Sequence, residues 1–584
     1  MLRRLSTVLP LCLAACGEAE PEELPPPPGD VMLSDWMQAA PEAWQAAQNA
    51  RLAAWVGSGS AEDALAANAR AREVLQTDDW IRRARDAARS SRFKESSPTT
   101  RAALQAIQRL ARREAAATRQ AEHEAVGLQA RLRARTPLDD ALAAWEPGDA
   151  SAWYGLMAHA REQKPGFFAL RDQRNANAEA GRWPDALAAS LAPLDLQSTE
   201  ALQRVRAIEA TLTPLLRELH TWTRRQHGRQ ASDSAALPTQ LNTVTLAHPL
   251  GFDWSLGPAT TADAALRHHG PELTAEQVRL WAEVAFGPLR DAGAPSVTPV
   301  PRDGVTVWST SLTEPQLRWT GTVLAGLPGY TDLARAHLTA RAYGHAFDPA
   351  LPGPLLAERP GALTASLALW GELAATRPET LARLGVEAVP QAPSEPAEAE
   401  VDASEPDPTE PAPTLLLAEA LHWLPRLAGQ LALAELEYAL YVEGIPSDQL
   451  TTRWWELAQT HLGVVPPETR TERWADPLVW APLTTQPGHS VESVFAITAA
   501  FQLHHAAAAK AGVDPRTADL AGHRDATEPI LRKLARAEGL STLDDAFTDA
   551  TGRPLTADAM LDHFSPLLPW LRAENQGVVP TFGR

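Results

Sequence analysis

The chain has 584 residues, and 72 acidic against 53 basic residues give it a formal net charge of −19, which disfavours nucleic acid as a partner. Its length allows a large buried core in one body or several. Alanine, leucine, glutamate and arginine dominate and β-branched runs are scarce, so the expected class is mainly α, and the 19 tryptophans read as core anchors scattered through helical patterns.

The amino terminus carries a positive pair, Arg3-Arg4, a short apolar run from Leu5 to Leu13, and Leu13-Ala-Ala-Cys16. This resembles a bacterial lipobox, which implies a signal peptide over residues 1–15, cleavage before Cys16 and lipidation of its thiol. The protein would then be held to a membrane through its lipid, with the body in the periplasm or at the surface. Gly17 after Cys16 favours the outer membrane of a two-membrane envelope. The two cysteines are Cys12 and Cys16, so the mature body would hold no disulfide and no thiolate ligand. Removing Arg3 and Arg4 leaves 51 basic against 72 acidic residues, a net −21.

Residues 16–30 are acidic and proline-rich and read as an extended tether. Residues 31–584 follow as one expected helical domain. Val31 to Arg135 patterns as long helices, read as a solvated arm or lid. Leu202 to Gln226 is a long helix carrying His220, expected to be a satisfied core histidine. Gly304 to Val323 is the one convincing β signal, a two- or three-stranded sheet. Asp332 to Phe347 has apolar residues at helical spacing, and a second helix-like run covers Gly361 to Leu384. Residues 390–413, with seven acidic residues, many prolines and no basic one, read as a disordered loop interrupting the fold. Helical patterning resumes from Leu415, with Pro466-Pro467, Gly512 and Thr556 as stops and caps.

Several collinear stretches resemble one family. Leu555 to Asn575 is similar to the final helix of the peptidyl-dipeptidase A, or angiotensin-converting-enzyme-like, metallopeptidases. Trp454-Trp455-Glu-Leu with Leu462-Gly-Val-Val-Pro-Pro467, Phe501-Gln-Leu-His504, Leu219-His220-Thr-Trp-Thr-Arg224 and Leu237-Pro-Thr-Gln-Leu241 match further segments in order. The resemblance implies a large helical zincin-like body with a central cleft and a very small β-sheet. It places the family's His-Glu-x-x-His motif on the Asp332 helix. There His337 matches the first ligand or the residue before it, the general base falls on Leu338 or Thr339, the second ligand on Arg341 or Ala342, and the third ligand on Ser366. None of these replacements can build the nitrogen-and-oxygen cage zinc requires, so zinc binding is not expected.

The family's substrate-binding positions fall near Ala481 and Leu483, Ser490 and Ser493, Trp308 or Ser309, and His248, which become possible cleft-lining residues. Its chloride-binding arginines fall around Tyr438 and Leu440. The leading expectation is therefore a membrane-tethered, catalytically degenerate relative that binds a peptide or an envelope protein. One alternative is an active hydrolase with a site rebuilt from His337, His345 and Glu358 or Glu372. The other is a plain structural envelope lipoprotein whose cleft is filled by its own side chains.

Overall fold

The computed structural model describes residues 26–39, 41–55, 58–60, 62–64, 66–67, 69–70, 80–97, 100–105, 107, 145–231, 237–255, 271–289, 297–309, 316–346, 361–386, 413–538 and 540–582. Cys16, Glu358 and residues 390–412 lie outside them. Of the expected disordered loop over residues 390–413, only Pro413 is described, and it opens a helix, since proline suits a first helical position.

The amino-terminal elements are α1 (Pro28–Ala39), α2 (Pro41–Trp55) and α3 (Trp80–Arg89). Helix α1 corrects the tether boundary: Pro28 to Asp30 form its first turn, since proline's fixed φ suits N1 and its missing N–H costs nothing there. The expected solvated arm is also corrected for the described residues. Met32, Trp36, Trp44, Ala84, Ala87, Leu104 and Ile107 form a small core of their own, with Phe93 and Leu540 packed against it. Apolar residues every three or four positions close into a bundle because each helix hides the other's stripe.

The main core runs from Trp153 to Phe582. Two long helices lead into it: α4 (Ala150–Ala180), capped where Asp149 accepts a 2.9 Å bond from the Ala152 amide, and α5 (Ser198–Ala231). Strand β1 (Leu241–Asn242) and helix α6 (Pro271–Phe286) follow. The expected β signal is a hairpin, β2 (Val297–Ser309) antiparallel to β3 (Leu317–Thr322), and its Val307 and Trp319 pack on Ala336 and Ala340 of α7 (Gly326–Ala346).

The run from Gly361 to Leu384 is two helices, α8 (Ala362–Ala375) and α9 (Pro378–Arg383). The break falls at Arg377, whose ψ of 144° is extended because the Pro378 ring excludes the helical conformation before it. Beyond it come α10 (Pro413–Tyr438) with a π-helical turn over Ala439–Glu443, then α11 (Leu450–Leu462) and β4 (Val464–Val465), which pairs in parallel with β1. Helices α12 (His489–Ala511), α13 (Arg524–Ala537), α14 (Leu543–Thr551), α15 (Asp558–Phe564) and α16 (Leu567–Glu574) complete the body. Gly512 ends α12 in the left-handed conformation that its sequence position foretold.

The architecture is mainly α, with two two-stranded sheets among the described residues. Trp36, Trp153, Trp254, Trp370 and Trp454 are fully buried, which bears out the reading of tryptophans as core anchors. Among the described residues no helix is long and apolar enough to cross a membrane.

Candidate functional site

Helices α7 and α8 cross with their backbones almost touching. A side-chain carbon on Gly371 would lie 2.8 Å from the Ala334 carbonyl oxygen and 3.2 Å from both Leu338 methyls. The residue that α7 turns toward α8 at this crossing is therefore Leu338, a core residue, as is Ala342. His337 points elsewhere: its ring sits 4.8 Å from the Trp319 ring of the hairpin, with Arg341 one turn on.

Arg341 is 2 % exposed and fully engaged by its own surroundings. Its Nε donates to the Gly287 carbonyl at 2.8 Å and its Nη1 to the His337 carbonyl at 3.1 Å. Burial lowers its pKa to about 10, against the pull of Glu283, so it stays a cation. Burial, with the positive fields of Arg341 and Arg279, holds His337 well below the usual histidine range, so its ring is neutral. Thr339 donates its hydroxyl to the Arg335 carbonyl at 2.9 Å, and Ser366 donates to the Ala362 carbonyl at 2.7 Å, each on its own helix. The residues present do not fit zinc: a neutral imidazole stands beside a buried guanidinium on α7, and the hydroxyl on α8 is spent on its own helix. Among the described residues no group of three or more His, Cys, Asp and Glu could hold a metal ion.

The rebuilt site proposed from sequence is not assembled by the described residues. His337 faces the hairpin, His345 lies within the field of Glu528 on α13, and Glu372 belongs to a separate ionic network. The physical reason is helical phase, since eight positions turn α7 by about 80° and point the two histidines at different neighbours.

The possible cleft-lining residues are likewise divided. His248 stacks on Phe252 at 4.7 Å, accepts from the Leu250 amide at 3.1 Å, and lies edge-on to Trp480, beside Ala481. Burial pushes its pKa down to about 4. Ala481 is exposed, Leu483 and Ser490 are buried, and Ser493 is partly buried on the first turns of α12. Trp308 is on the hairpin, donating to Thr320 Oγ1 at 3.1 Å, with α7 beneath that sheet. His220 meets its expectation in part: it is a buried core residue with Nε2 3.0 Å from the Gly463 carbonyl, while its Nδ1 has no partner.

Three buried polar groupings escaped the sequence reading. In the first, Glu372 of α8 accepts from Arg335 at 2.6 Å and from Arg426 at 3.2 and 3.3 Å, and lies 3.4 Å from His422. Asp332 holds Arg335 at 2.8 Å and Asp253 lies 3.6 Å from His422. Although burial opposes it, the surrounding cations hold Glu372 well below the usual carboxylate range. Against desolvation, the bonds to Asp253 and Glu372 push His422 up to about 9. Three cations thus meet three carboxylates, and the network locks α7, α8 and α10 together with no charge left for a ligand. His422 and Arg426, four apart on α10, were the available signal.

In the second grouping Glu419 pairs with Arg377 and with His563 Nε2 at 3.1 Å, while His563 Nδ1 lies 3.0 Å from His505 Nε2. The third is Glu437 of α10, fully buried, with neither carboxyl oxygen completing a hydrogen bond. Burial pushes its pKa up to about 8 although Ser490 and the Gly488 amide, at the start of α12, act the other way. Ser490 Oγ is also without a partner.

No curated protein matches the chain. A family model does, over residues 401–583, which take in the Trp454, Phe501 and Leu555 segments and leave α7 and α8 outside the match. That match is described as angiotensin-converting enzyme and covers about a third of the chain, so residues 401–583 of this mainly helical body are similar to that family.

Proposed function

We propose that the protein is a membrane-tethered lipoprotein, anchored through Cys16, whose peptidyl-dipeptidase-like body binds a peptide or an envelope protein without cutting it. The single observation that carries the non-catalytic part is Arg341. The resemblance puts the second metal ligand on Arg341 or Ala342; the former is a buried, hydrogen-bonded guanidinium, whose charge would oppose a second cation, and the latter is a core methyl with no donor atom. Ser366, at the third-ligand position, is spent on its own helix. The carboxyl-terminal half keeps the family's helices, which supports a retained scaffold.

Purified protein is expected to carry less than roughly a tenth of an equivalent of zinc, since no ligand cage is formed, and to release no carboxyl-terminal dipeptide in a chelator-sensitive manner. Stoichiometric zinc together with such release overturns the reading. Saturable binding of unstructured peptides supports the binding role. Its complete absence across a varied peptide panel favours instead a structural lipoprotein whose interior, as at Arg341 and Glu372, is occupied by its own side chains. Metabolic labelling with a radioactive fatty acid is expected to mark the wild type and not Cys16→Ser.

A further inference from the structure

In a chain of net charge −19, residues 80–101 hold seven basic residues and two acidic ones. On α3, Arg82, Arg85 and Arg89 recur at spacings of three and four, within about 60° of one another around the helix axis. All three are exposed, whereas Ala84 and Ala87 on the opposite face are buried in the amino-terminal core. The next turn adds exposed Lys94 and part-buried Arg92 and Arg101. Some of the charge nearby is compensated: Arg83 pairs with Asp35, Arg92 with Glu95 at 2.8 Å, and Asp86 lies beside the stripe.

The turn that carries Lys94, at the end of this basic surface, packs against the point where the chain enters the fold. Gly29, on the first turn of α1, is packed so closely on the basic turn that a side-chain carbon there would lie 2.8 Å from Ser96 Oγ and 3.0 Å from Leu104 Cδ1. Arg101 binds the Ser96 carbonyl and, at 3.2 Å, the Lys94 carbonyl, which fixes that turn against the α1 entry. From Cys16 to Pro28 is 12 residues, a span of at most about 40 Å.

We infer that Arg85, Arg89 and Lys94 form a docking surface for anionic phospholipid headgroups, so that the amino-terminal bundle rests on the bilayer that the lipid reaches. The inference rests on the proposed anchor at Cys16 for its orientation, while the charge complementarity is a property of the described surface. A tether alone would leave a body of this net charge repelled from an anionic bilayer. The stripe gives one face that is attracted once it comes within the Debye length of about 8 Å. Nucleic acid, the other polyanion such a stripe could meet, is disfavoured by the charge of the whole chain.

The test uses the chain lacking only residues 1–16, which keeps every described residue and carries no acyl group. Co-sedimentation with phosphatidylglycerol vesicles is expected at low salt, with little binding to pure phosphatidylcholine and loss at high salt. Replacing Arg85, Arg89 and Lys94 together by glutamine is expected to weaken binding roughly 100-fold, at about fivefold per cation. Replacing Arg532, Lys533 and Arg536, exposed cations on α13, is expected to leave it unchanged, with both variants keeping the wild-type melting temperature. Equal binding to both lipids, no binding to either, an unaffected triple variant, or tighter binding to duplex DNA than to the vesicles would each overturn the inference. Fatty-acid labelling of Cys16 in cells is a separate readout, so loss of the anchor and loss of the docking surface are told apart.

Discussion

Helices α7 and α8 and the carboxyl-terminal body from α10 to α16 are built by the same packing, yet the family match covers only the second. In the carboxyl-terminal body the family segments remain as core: Trp454 and Phe501 are fully buried, and His504 Nε2 lies 2.8 Å from the Pro515 carbonyl. At α7 and α8 polar side chains at the expected ligand and general-base positions turn onto backbone carbonyls, as Arg341, Ser366 and Thr339 do. A helix can lose a reactive group and keep its place in a core, because burial area and shape hold it there. A cage of several ligands has no such tolerance, since each member works only beside the others.

The comparison can be broken first at the scaffold. Trp454→Ala should cost about 4 kcal/mol through the cavity it leaves, read as a large fall in denaturant midpoint. A loss under about 1 kcal/mol would mean that the matched segment is not core. The next test falls on the lock between the two regions. Glu372→Ala should cost about 3 kcal/mol, the low end for breaking a buried pair because Arg335 and Arg426 stay partly exposed. Unchanged stability would show that the network does not join α7, α8 and α10.

A pH series sharpens the contrast further. Glu437 has its folded pKa raised to about 8, from 4.5 in the open chain. The folded state therefore binds the extra proton between these values. Its contribution is complete below about pH 4.5 and is lost as pH rises through about 8, with a slope of up to about 1.4 kcal/mol per pH unit. Glu437→Gln should flatten that slope, and equal slopes for variant and wild type would exclude Glu437 as its source. Buried His220, lowered to about 3 by burial, works with the opposite sign, so stability also falls as pH drops below about 6.5. The smallest effect is expected at Ser366→Ala, within about 0.5 kcal/mol, because the hydroxyl serves only its own helix. A clear loss of peptide binding in that variant would restore Ser366 to a ligand-facing role.

Periodicity made most of the helical body legible, and the Gly512 stop and the hairpin were readable from glycine placement and β-branched residues. The break at Arg377 was also written in the sequence, since proline restricts the residue before it, yet the apolar pattern runs through it and hid it. The solvated-arm expectation failed because charge on one face of α3 masked the alanines on the other, and Trp36 and Trp44 close over them. Of the site, the sequence offered His337, Arg341 and Ser366 only as positions that the resemblance assigns to metal ligands, without saying what each side chain does.

What the sequence by itself determined is the helical class and the order of the segments that resemble the family, because propensity, spacing and residue type are local properties. Only the tertiary structure decided that Glu372 gathers Arg335, Arg426 and His422, that Glu419 meets His563 across 144 positions, and that Gly29 seats the chain entry on a basic turn. Charges find partners through space, and the energy of burying them depends on neighbours that chain distance does not reveal.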